Sequence, residues 1–319
     1  MRIDTGLSQH LREAGPEAIA AQEQGFQQGW ISETVADPFA ASAVALLATD
    51  RLRVGTAVSV AFARSPFAVA QSAWELSRAS GGRFVLGLGT QVKVHAERRF
   101  SVEWSAPVER LHDYIGALRA IWAAFQGEAP LRYESEYYRH TLLTGHFDPG
   151  PIEHPRIPVV VSGVNVRMAE LAGEVADGLI AHPLHTPQYL KDVLWPAIRR
   201  GAERSGRDPE AVQVVVPVWV IAGPEDEQAI RQQIGIYGST SAYRVVLETH
   251  GWGDLQPRLN QAMKDGGPAA LRELVPDEVV QAIAVRCTPS TLQEAVDARL
   301  SGLATATMLN PPIPPTFTP

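Results

Sequence analysis

The sequence predicts an α/β fold of the (β/α)8 TIM-barrel class, with insertions. Short apolar runs rich in β-branched residues alternate with longer amphipathic stretches along almost the whole chain, a pattern typical of parallel strands connected by helices. The strands are apolar nearly throughout, as expected where helices cover both faces of a sheet. Eight such units favour a closed barrel of about 250 residues, and the 319 residues of this chain leave room for insertions.

The predicted elements follow one another in a regular order. The strands cover residues 3–5, 29–32, 53–60, 84–88, 158–162, 178–182, 212–221 and 304–309. The helices cover residues 39–48, 66–80, 107–125, 166–175, 188–205, 226–237 and 291–301. Three helix ends carry specific signals: Asp37 is an N-cap before a proline, Gly81 is a left-handed C-cap, and Pro107 occupies a first helical position.

Two segments account for the surplus length. Residues 126–156 are polar, aromatic and proline-bearing, and they precede the fifth strand. Residues 238–275 are expected to form extra helices late in the chain. We interpret both as insertions in a single domain that spans residues 1–319.

The composition excludes several functional classes. Lys and Arg number 28 against 35 Asp and Glu, giving a net charge of −7, which argues against a nucleic-acid binder because such proteins carry a basic surface. The single cysteine, Cys287, excludes a disulfide framework and a multi-cysteine zinc site, and we predict that it is buried and inert. The longest apolar stretches are shorter than the ~20 residues of a membrane span, and the N-terminus has no apolar signal region. We therefore expect a soluble, cytoplasmic protein.

In a parallel barrel the functional residues lie where strands end. Glu33 follows the second strand, where its carboxylate either acts as an acid or base or forms an ion pair with an arginine of a neighbouring strand. His182 ends the sixth strand and is either a site residue or a structural histidine. The sequence contains no motif of a zincin, an α/β-hydrolase or a P-loop enzyme.

Two loops are suited to an anionic group. The fourth strand leads into a glycine-flanked turn followed by Lys93 and His95; we expect a loop there, with the next helix starting at Pro107. Because Val92 stands where a dinucleotide fingerprint needs its third glycine, a Rossmann site is disfavoured. The fifth strand ends in Ser162-Gly163 directly before a helix, and the positive helix end favours a phosphate.

Several short patterns then occur in a characteristic order along the chain. They are Gly25-Phe26, Trp30, Glu33, Asp37-Pro38-Phe39, the run from Arg53 to Val58, Arg64-Ser65-Pro66, Leu76-Ser77, Gly82-Arg83-Phe84, Gly87-Leu88-Gly89-Thr90, Trp104, Pro107, Arg110 and the run from Leu171 to Gly178. Together they resemble the bacterial-luciferase-like superfamily, and within it the coenzyme F-420-dependent (deazaflavin) oxidoreductases of an actinobacterial type.

This resemblance implies a barrel, a homodimer and a site without metal. The flavin or deazaflavin ring is expected at the carboxyl mouth against a bulge in the third strand, where a non-proline cis peptide would fall at Ala57–Val58. The cofactor phosphate is expected near the fourth and fifth loops, with Lys93 supplying positive charge. The implied cofactor-binding residues are Thr34, Thr56, Ala57, Val58, Thr90, Gln91, Lys93, His95, Ser162, Gly163 and Val164, and the implied catalytic residues are Glu33 and His182.

One departure from the resemblance concerns Thr34. Some deazaflavin dehydrogenases carry a histidine there, and a threonine cannot serve as a general base near neutral pH. Either His182 or His95 takes that role, or the reaction needs no base at this position. Trp30 and Phe62 are expected to shape the substrate pocket or to belong to the core.

The expected function is hydride transfer between coenzyme F-420 and a small organic substrate. An FMN-dependent luciferase-like monooxygenase is the alternative, because the fold supports it equally. A cofactor-free, non-catalytic homologue is the second alternative, which the replacement by Thr34 favours and the retained glycine-rich turn disfavours.

Overall fold

The computed structural model describes residues 1–310 of the chain, and the end of the predicted domain, residues 311–319, lies outside the described residues. The strands, in chain order, are β1 (Arg2–Gly6), β2 (Gln28–Ile31), β3 (Arg53–Thr56), β4 (Ser59–Val60), β5 (Phe84–Gly89), β6 (Tyr133–Glu134), β7 (Arg139–His140), β8 (Val159–Gly163), β9 (Gly178–Ala181), β10 (Gln213–Val218), β11 (Val220–Ile221), β12 (Val285–Arg286) and β13 (Ala306–Leu309). Nine of them form the principal sheet, in the order β3-β2-β1-β13-β10-β9-β8-β5-β4. A further pairing of β3 with β5 closes it, and the predicted (β/α)8 TIM barrel is confirmed.

The helices connect the strands in the expected alternation. They are α1 (Leu11–Glu23), α2 (Pro38–Ala48), α3 (Pro66–Ser80), α4 (Lys93–Arg98), α5 (Pro107–Phe125), α6 (Val166–Val175), α7 (Pro187–Tyr189), α8 (Trp195–Arg204), α9 (Pro224–Gly238), α10 (Arg244–Glu248), α11 (Leu255–Gly266), α12 (Asp277–Ile283) and α13 (Leu292–Leu300). A π-helical segment, Leu190–Leu194, joins α7 to α8. Within residues 1–310, no helix is both long enough and apolar enough to cross a membrane.

The predicted helix ends are confirmed where a cap signal marks them. The Asp37 carboxylate accepts hydrogen bonds from the backbone N–H groups of Phe39 and Ala40 at 2.8 and 3.2 Å and so caps α2. Gly81 ends α3 in the left-handed conformation at φ 64°, which glycine adopts without steric cost. Pro107 begins α5 as predicted.

The predicted third strand, residues 53–60, is interrupted by a bulge. β5 pairs first with β3, with Val54 opposite Phe84, and then with β4, with Ser59 opposite Leu88. Between those pairs the β3–β4 chain has one residue more than β5, the count that defines a β-bulge. The Ala57–Val58 peptide within it is cis, as the resemblance implied.

Next to the bulge, β3 and β5 approach closely. The Thr56 hydroxyl donates to the Gly87 carbonyl oxygen at 2.7 Å and accepts from the Gly87 N–H at 2.9 Å. A Cβ atom added to Gly87 would overlap the Thr56 carbonyl oxygen. Glycine at this position is therefore a packing requirement of the barrel wall.

Several local predictions are wrong. The segment after β5 holds the helix α4 instead of a continuous loop up to Pro107. The predicted strand 212–221 breaks at Trp219 into β10 and β11, and β11 pairs with β12, which was not predicted. The first helix, α1, was also not predicted; it contains Pro16. Cys287 is half-buried instead of buried, and burial raises the pKa of its thiol.

The chain forms two compact units. The first unit comprises Thr5–Ser162 and Glu174–Gly178, and the second comprises Met1–Asp4, Gly163–Gly173 and the residues from Leu179 onward. In the first unit, the segment 126–156 contributes the antiparallel hairpin of β6 and β7. In the second unit, the segment 238–275 is helical as predicted, and its Leu247, Leu255 and Leu259 belong to a buried apolar cluster with Trp219. That these segments are insertions in one domain stays a prediction.

We predict that Gly87→Ala destabilises the protein by about 3 kcal/mol or more, because the added methyl group meets backbone that cannot move aside. The matched control is Gly6→Ala, since a Cβ atom at Gly6 meets nothing within 4 Å; we expect it to change the free energy of unfolding by less than about 0.5 kcal/mol. Urea denaturation of both variants measures the difference. Equal effects would contradict the close approach of β3 and β5.

Candidate active site

Glu33 lies two residues beyond β2, and its carboxylate is bound on several sides. One oxygen accepts from Arg64 Nη1 at 2.9 Å and from the Val60 N–H at 2.7 Å, and the other accepts from Arg64 Nη2 at 2.9 Å. Its side chain is 6% exposed and that of Arg64 is 22% exposed. The ion-pair alternative considered for Glu33 is thus present, and it ties the end of β2 to β4.

Arg64 connects this carboxylate to the start of α2. Its Nη2 lies 2.7 Å from an Asp37 carboxylate oxygen, and its guanidinium lies 5.5 Å from the centre of the Phe39 ring. Burial opposes ionisation of Asp37, but hydrogen bonds from Arg64 and from two backbone N–H groups outweigh it and lower its pKa. Arg64 thus bridges two carboxylates, which ties the residue after β2 to the N-cap of α2.

Thr34 is held by two side chains that the sequence analysis did not single out. The Gln9 side-chain amide nitrogen donates to the Thr34 hydroxyl at 2.6 Å, and its oxygen accepts from the Thr34 N–H at 3.1 Å. Arg99, directly after α4, donates to the Thr34 carbonyl oxygen. Gln9 lies in the loop after β1, where its position at a strand end was the only available signal.

The turn after β5 presents polar groups to solvent. Gln91 has a left-handed backbone with φ 63°, and its side-chain oxygen accepts from the Val92 N–H at 3.0 Å. The Lys93 side chain is 67% exposed, and its ammonium nitrogen lies 3.7 Å from a Glu97 carboxylate oxygen. His95 is exposed on α4. Thr90 donates a hydrogen bond to the Gln91 carbonyl oxygen at 3.2 Å.

The bulge and the ends of β5 and β8 lie together in the first unit. A Cβ atom at Gly89 would lie 2.5 Å from Val58 Cγ2 and 3.0 Å from Ser162 Oγ. Only glycine at position 89 therefore leaves room for the side chains of Val58 and Ser162. Thr56, by contrast, is fully buried, and its hydroxyl is engaged by the sheet.

The two aromatic residues expected near the pocket have different surroundings. Trp30 is 3% exposed, and its ring occupies the space beside Gly55, so it is a core residue. The guanidinium carbon of Arg110 lies 4.4 Å from the centre of the Phe62 ring. Arg110 also donates a hydrogen bond to the Tyr138 hydroxyl at 3.2 Å. The segment 126–156 thereby reaches the turn that follows β4.

In the second unit, a backbone N–H group at the start of α6 already has a hydrogen-bond acceptor within the protein. The Asn165 side-chain oxygen accepts from the Met168 N–H at 3.0 Å, so this donor is taken. The Tyr189 hydroxyl donates to the Val164 carbonyl oxygen. A Cβ atom at Gly163 would lie 2.5 Å from Met168 Cβ, which explains the glycine at the turn.

His182 follows β9, is half-buried and packs against two tyrosine rings. Its ring centre lies 4.2 Å from that of Tyr243, nearly parallel, and 4.5 Å from that of Tyr237, edge-on. Its Nδ1 accepts from the Leu184 N–H at 3.0 Å, which places the ring proton on Nε2 in the neutral form. Burial and then the neighbouring His185 lower the pKa of His182 to about 3. The catalytic roles of Glu33 and His182 stay predictions.

The barrel and the polar residues at its strand ends define an enzyme of the luciferase-like class. The family model described as luciferase-like monooxygenase matches residues 2–306, and the chain belongs to this family. Among its relatives is an uncharacterized protein of Mycobacterium tuberculosis, 42% identical over 95% of this chain and 91% of the relative. A second is the 5,10-methylenetetrahydromethanopterin reductase of Archaeoglobus fulgidus, 24% identical over 92% of this chain and 88% of the relative.

Solved structures agree with the fold. The coenzyme F-420-dependent tetrahydromethanopterin reductase of Methanopyrus kandleri superposes with a TM-score of 0.82 at 20% identity, over 99% of this chain and 95% of that one. The oxygenating constituent of 3,6-diketocamphane monooxygenase of Pseudomonas putida, solved with FMN, gives a TM-score of 0.66 at 17% identity, over 96% of this chain and 91% of that one.

We predict that Arg64→Met destabilises the protein by about 3 kcal/mol, because it leaves the buried Glu33 charge without its partner. The control is Arg51→Met, whose ion pair with Asp50 joins side chains that are 72% and 74% exposed and contributes little. Chemical denaturation at neutral pH compares the two. A loss no greater than that of the control would disprove the importance of the Glu33–Arg64 pair.

We predict a pH-dependent contribution of His182 to stability. At pH 5 the unfolded state binds a proton on this imidazole, whose ordinary pKa is about 6.5, while the folded state, with a pKa of about 3, does not. Stability therefore falls as the pH drops below about 6.5. We expect His182→Asn to lose about 2 kcal/mol less than the wild type between pH 7.5 and pH 5.

The measurement is the free energy of unfolding at both pH values, and the exposed His10 provides the control, as His10→Asn. If the two variants lose the same amount on acidification, His182 is not held neutral in the folded protein.

Proposed function

We propose that the protein is an oxidoreductase that transfers a hydride between coenzyme F-420 and a small organic substrate. The observation that carries this proposal is the bulge between β3 and β4, next to the polar turn after β5. The choice of F-420 is supported by the name of the Methanopyrus kandleri structure and by that of a relative, a putative coenzyme F420-dependent oxidoreductase of Mycobacterium tuberculosis.

The donors in the first unit suit the anionic tail of this cofactor. Lys93 offers an exposed ammonium with only a long contact to Glu97, and Ser162 offers a hydroxyl near the bulge. We propose that these residues, with Thr90, Gln91 and His95, bind the phosphate. When bound, the deazaflavin supplies the carbon that carries the hydride.

The remaining roles belong to the protein's own side chains. We propose that Glu33, fixed by Arg64, holds Ser59–Val60 in place behind the ring, and that Ala57 and Val58 contact the ring face. His182 stays neutral near pH 7, so we propose it as a positioning group and not as the base. Thr34 would contact the bound ring by its hydroxyl.

We also propose a homodimer in the cytoplasm. Leu11 and Ile19 on α1 are 52% and 41% exposed, and Leu47 on α2 is 71% exposed. Apolar side chains on two helices that pack against each other favour a partner surface. Sedimentation equilibrium tests this proposal, and a monomer at all concentrations would refute it.

An FMN-dependent monooxygenase is the second candidate, favoured by the similarity to an FMN-bound monooxygenase. The cofactor-free homologue is the third candidate. All three are separated by titrating the protein with F-420 and with FMN while ligand fluorescence is followed.

We predict that wild-type protein quenches F-420 fluorescence on binding and that Lys93→Gln weakens this binding about three- to tenfold, as expected for loss of one charge-assisted contact. The control Lys264→Gln removes an exposed charge from α11 and should leave the affinity unchanged. Tight FMN binding without F-420 binding would replace F-420 by FMN, and binding of neither would favour the cofactor-free homologue.

A further inference from the structure

Gln9 belongs to none of the motifs of this chain, yet its side chain makes four hydrogen bonds to one loop. Its oxygen accepts from the backbone N–H groups of Thr34, Val35 and Ala36 at 3.1, 2.8 and 3.1 Å. Its nitrogen donates to the Thr34 hydroxyl at 2.6 Å. We propose that Gln9 is a positioning residue that turns the hydroxyl hydrogen of Thr34 away from itself. The Thr34 hydroxyl then donates a hydrogen bond to the ligand at the barrel mouth.

The three backbone donors settle the orientation of the Gln9 amide. A carboxamide has an acceptor oxygen and a donor nitrogen that look alike in shape. A rotated amide would turn its own N–H groups toward three backbone N–H groups, leaving all of them without acceptors. The oxygen therefore faces the backbone, and the nitrogen must face Thr34.

This orientation decides what Thr34 can offer. A hydroxyl has one hydrogen and two lone pairs, and one lone pair accepts from Gln9. The hydroxyl hydrogen is thus directed away from Gln9 and is free to be donated. Because Arg99 holds the carbonyl oxygen of the same residue, both the backbone and the side chain of Thr34 are fixed.

The ligand that fits such a group presents an acceptor. Resting on the proposed function, we assign this acceptor to a carbonyl oxygen of the deazaflavin pyrimidine ring. An isolated threonine at a strand end could rotate its hydroxyl to accept or to donate; here the rotation is restricted before the ligand arrives, which lowers the cost of binding.

The test is a double-mutant cycle of Gln9→Glu and Thr34→Val, with the dissociation constant of F-420 as the readout. The carboxylate introduced at position 9 still accepts from the three N–H groups, but it draws the Thr34 hydroxyl hydrogen toward itself. Thr34→Val removes the hydroxyl at similar shape. We expect each single variant to weaken F-420 binding about three- to tenfold and the double variant to bind no more weakly than either.

Three controls isolate the hydrogen bond from other effects. Thr34→Ser keeps the hydroxyl and should restore most of the affinity that Thr34→Val loses. Gln24→Glu adds the same charge at an exposed position after α1, and measurements at 1 M salt screen repulsion of the anionic cofactor, since the screening length falls to about 3 Å. Unchanged midpoints of thermal unfolding show that each variant is folded.

The possible outcomes are distinct. Wild-type affinity in Thr34→Val, or additive losses in the double variant, would overturn the role of Gln9 while leaving the proposed function intact. Failure of the wild-type protein to bind F-420 would overturn the proposed function, and the same cycle with FMN, whose ring carries equivalent carbonyl groups, would then decide the inference. Absence of binding to both compounds would overturn both.

Discussion

The close contact between β3 and β5 is the constraint on which the candidate site depends. Thr56 uses its hydroxyl to bond both backbone groups of Gly87, and Gly87 has no side chain to prevent this approach. Since β5 is fixed against β3 at one end and against β4 at the other, the extra residue between those pairings has to leave the sheet. The bulge and the cis peptide are therefore set at one level of the barrel wall, beside Gly89.

The loop after β2 is fixed in a different way, by side chains from three distant parts of the first unit. Gln9 follows β1, Arg64 follows β4 and Arg99 follows α4, and each bonds to residues 33–37. The conformation of this loop depends on directional bonds to both backbone and side-chain groups. Such bonds are suited to positioning a ligand because each fixes an angle as well as a distance. Lys93 differs from these residues, because its long side chain is exposed and lies 3.7 Å from Glu97. Its ammonium can attract an anion without the strict hydrogen-bond geometry that the loop residues require.

The sequence predicted elements that depend on local signals more accurately than contacts between residues far apart in the chain. α3, α5 and α6 were predicted to the residue, since their periodicity and caps are local. α1 was missed because Pro16 interrupts its pattern, and α4 because its six residues are too short for a period to be seen. Gln9 and Arg64 act on residues more than twenty positions away, and no local pattern reports such pairs.

Glu33 and His182 show why a strand end predicts a location more reliably than a chemical role. Both were selected because they follow barrel strands, and that placement is correct. Their surroundings distinguish them: Glu33 is paired with Arg64, whereas the half-buried His182 packs against Tyr237 and Tyr243. An imidazole with a pKa of about 3 is too weak a base near pH 7. The strand end thus indicated where His182 lies, and its neighbours decide that it is not suited to accept a proton near pH 7.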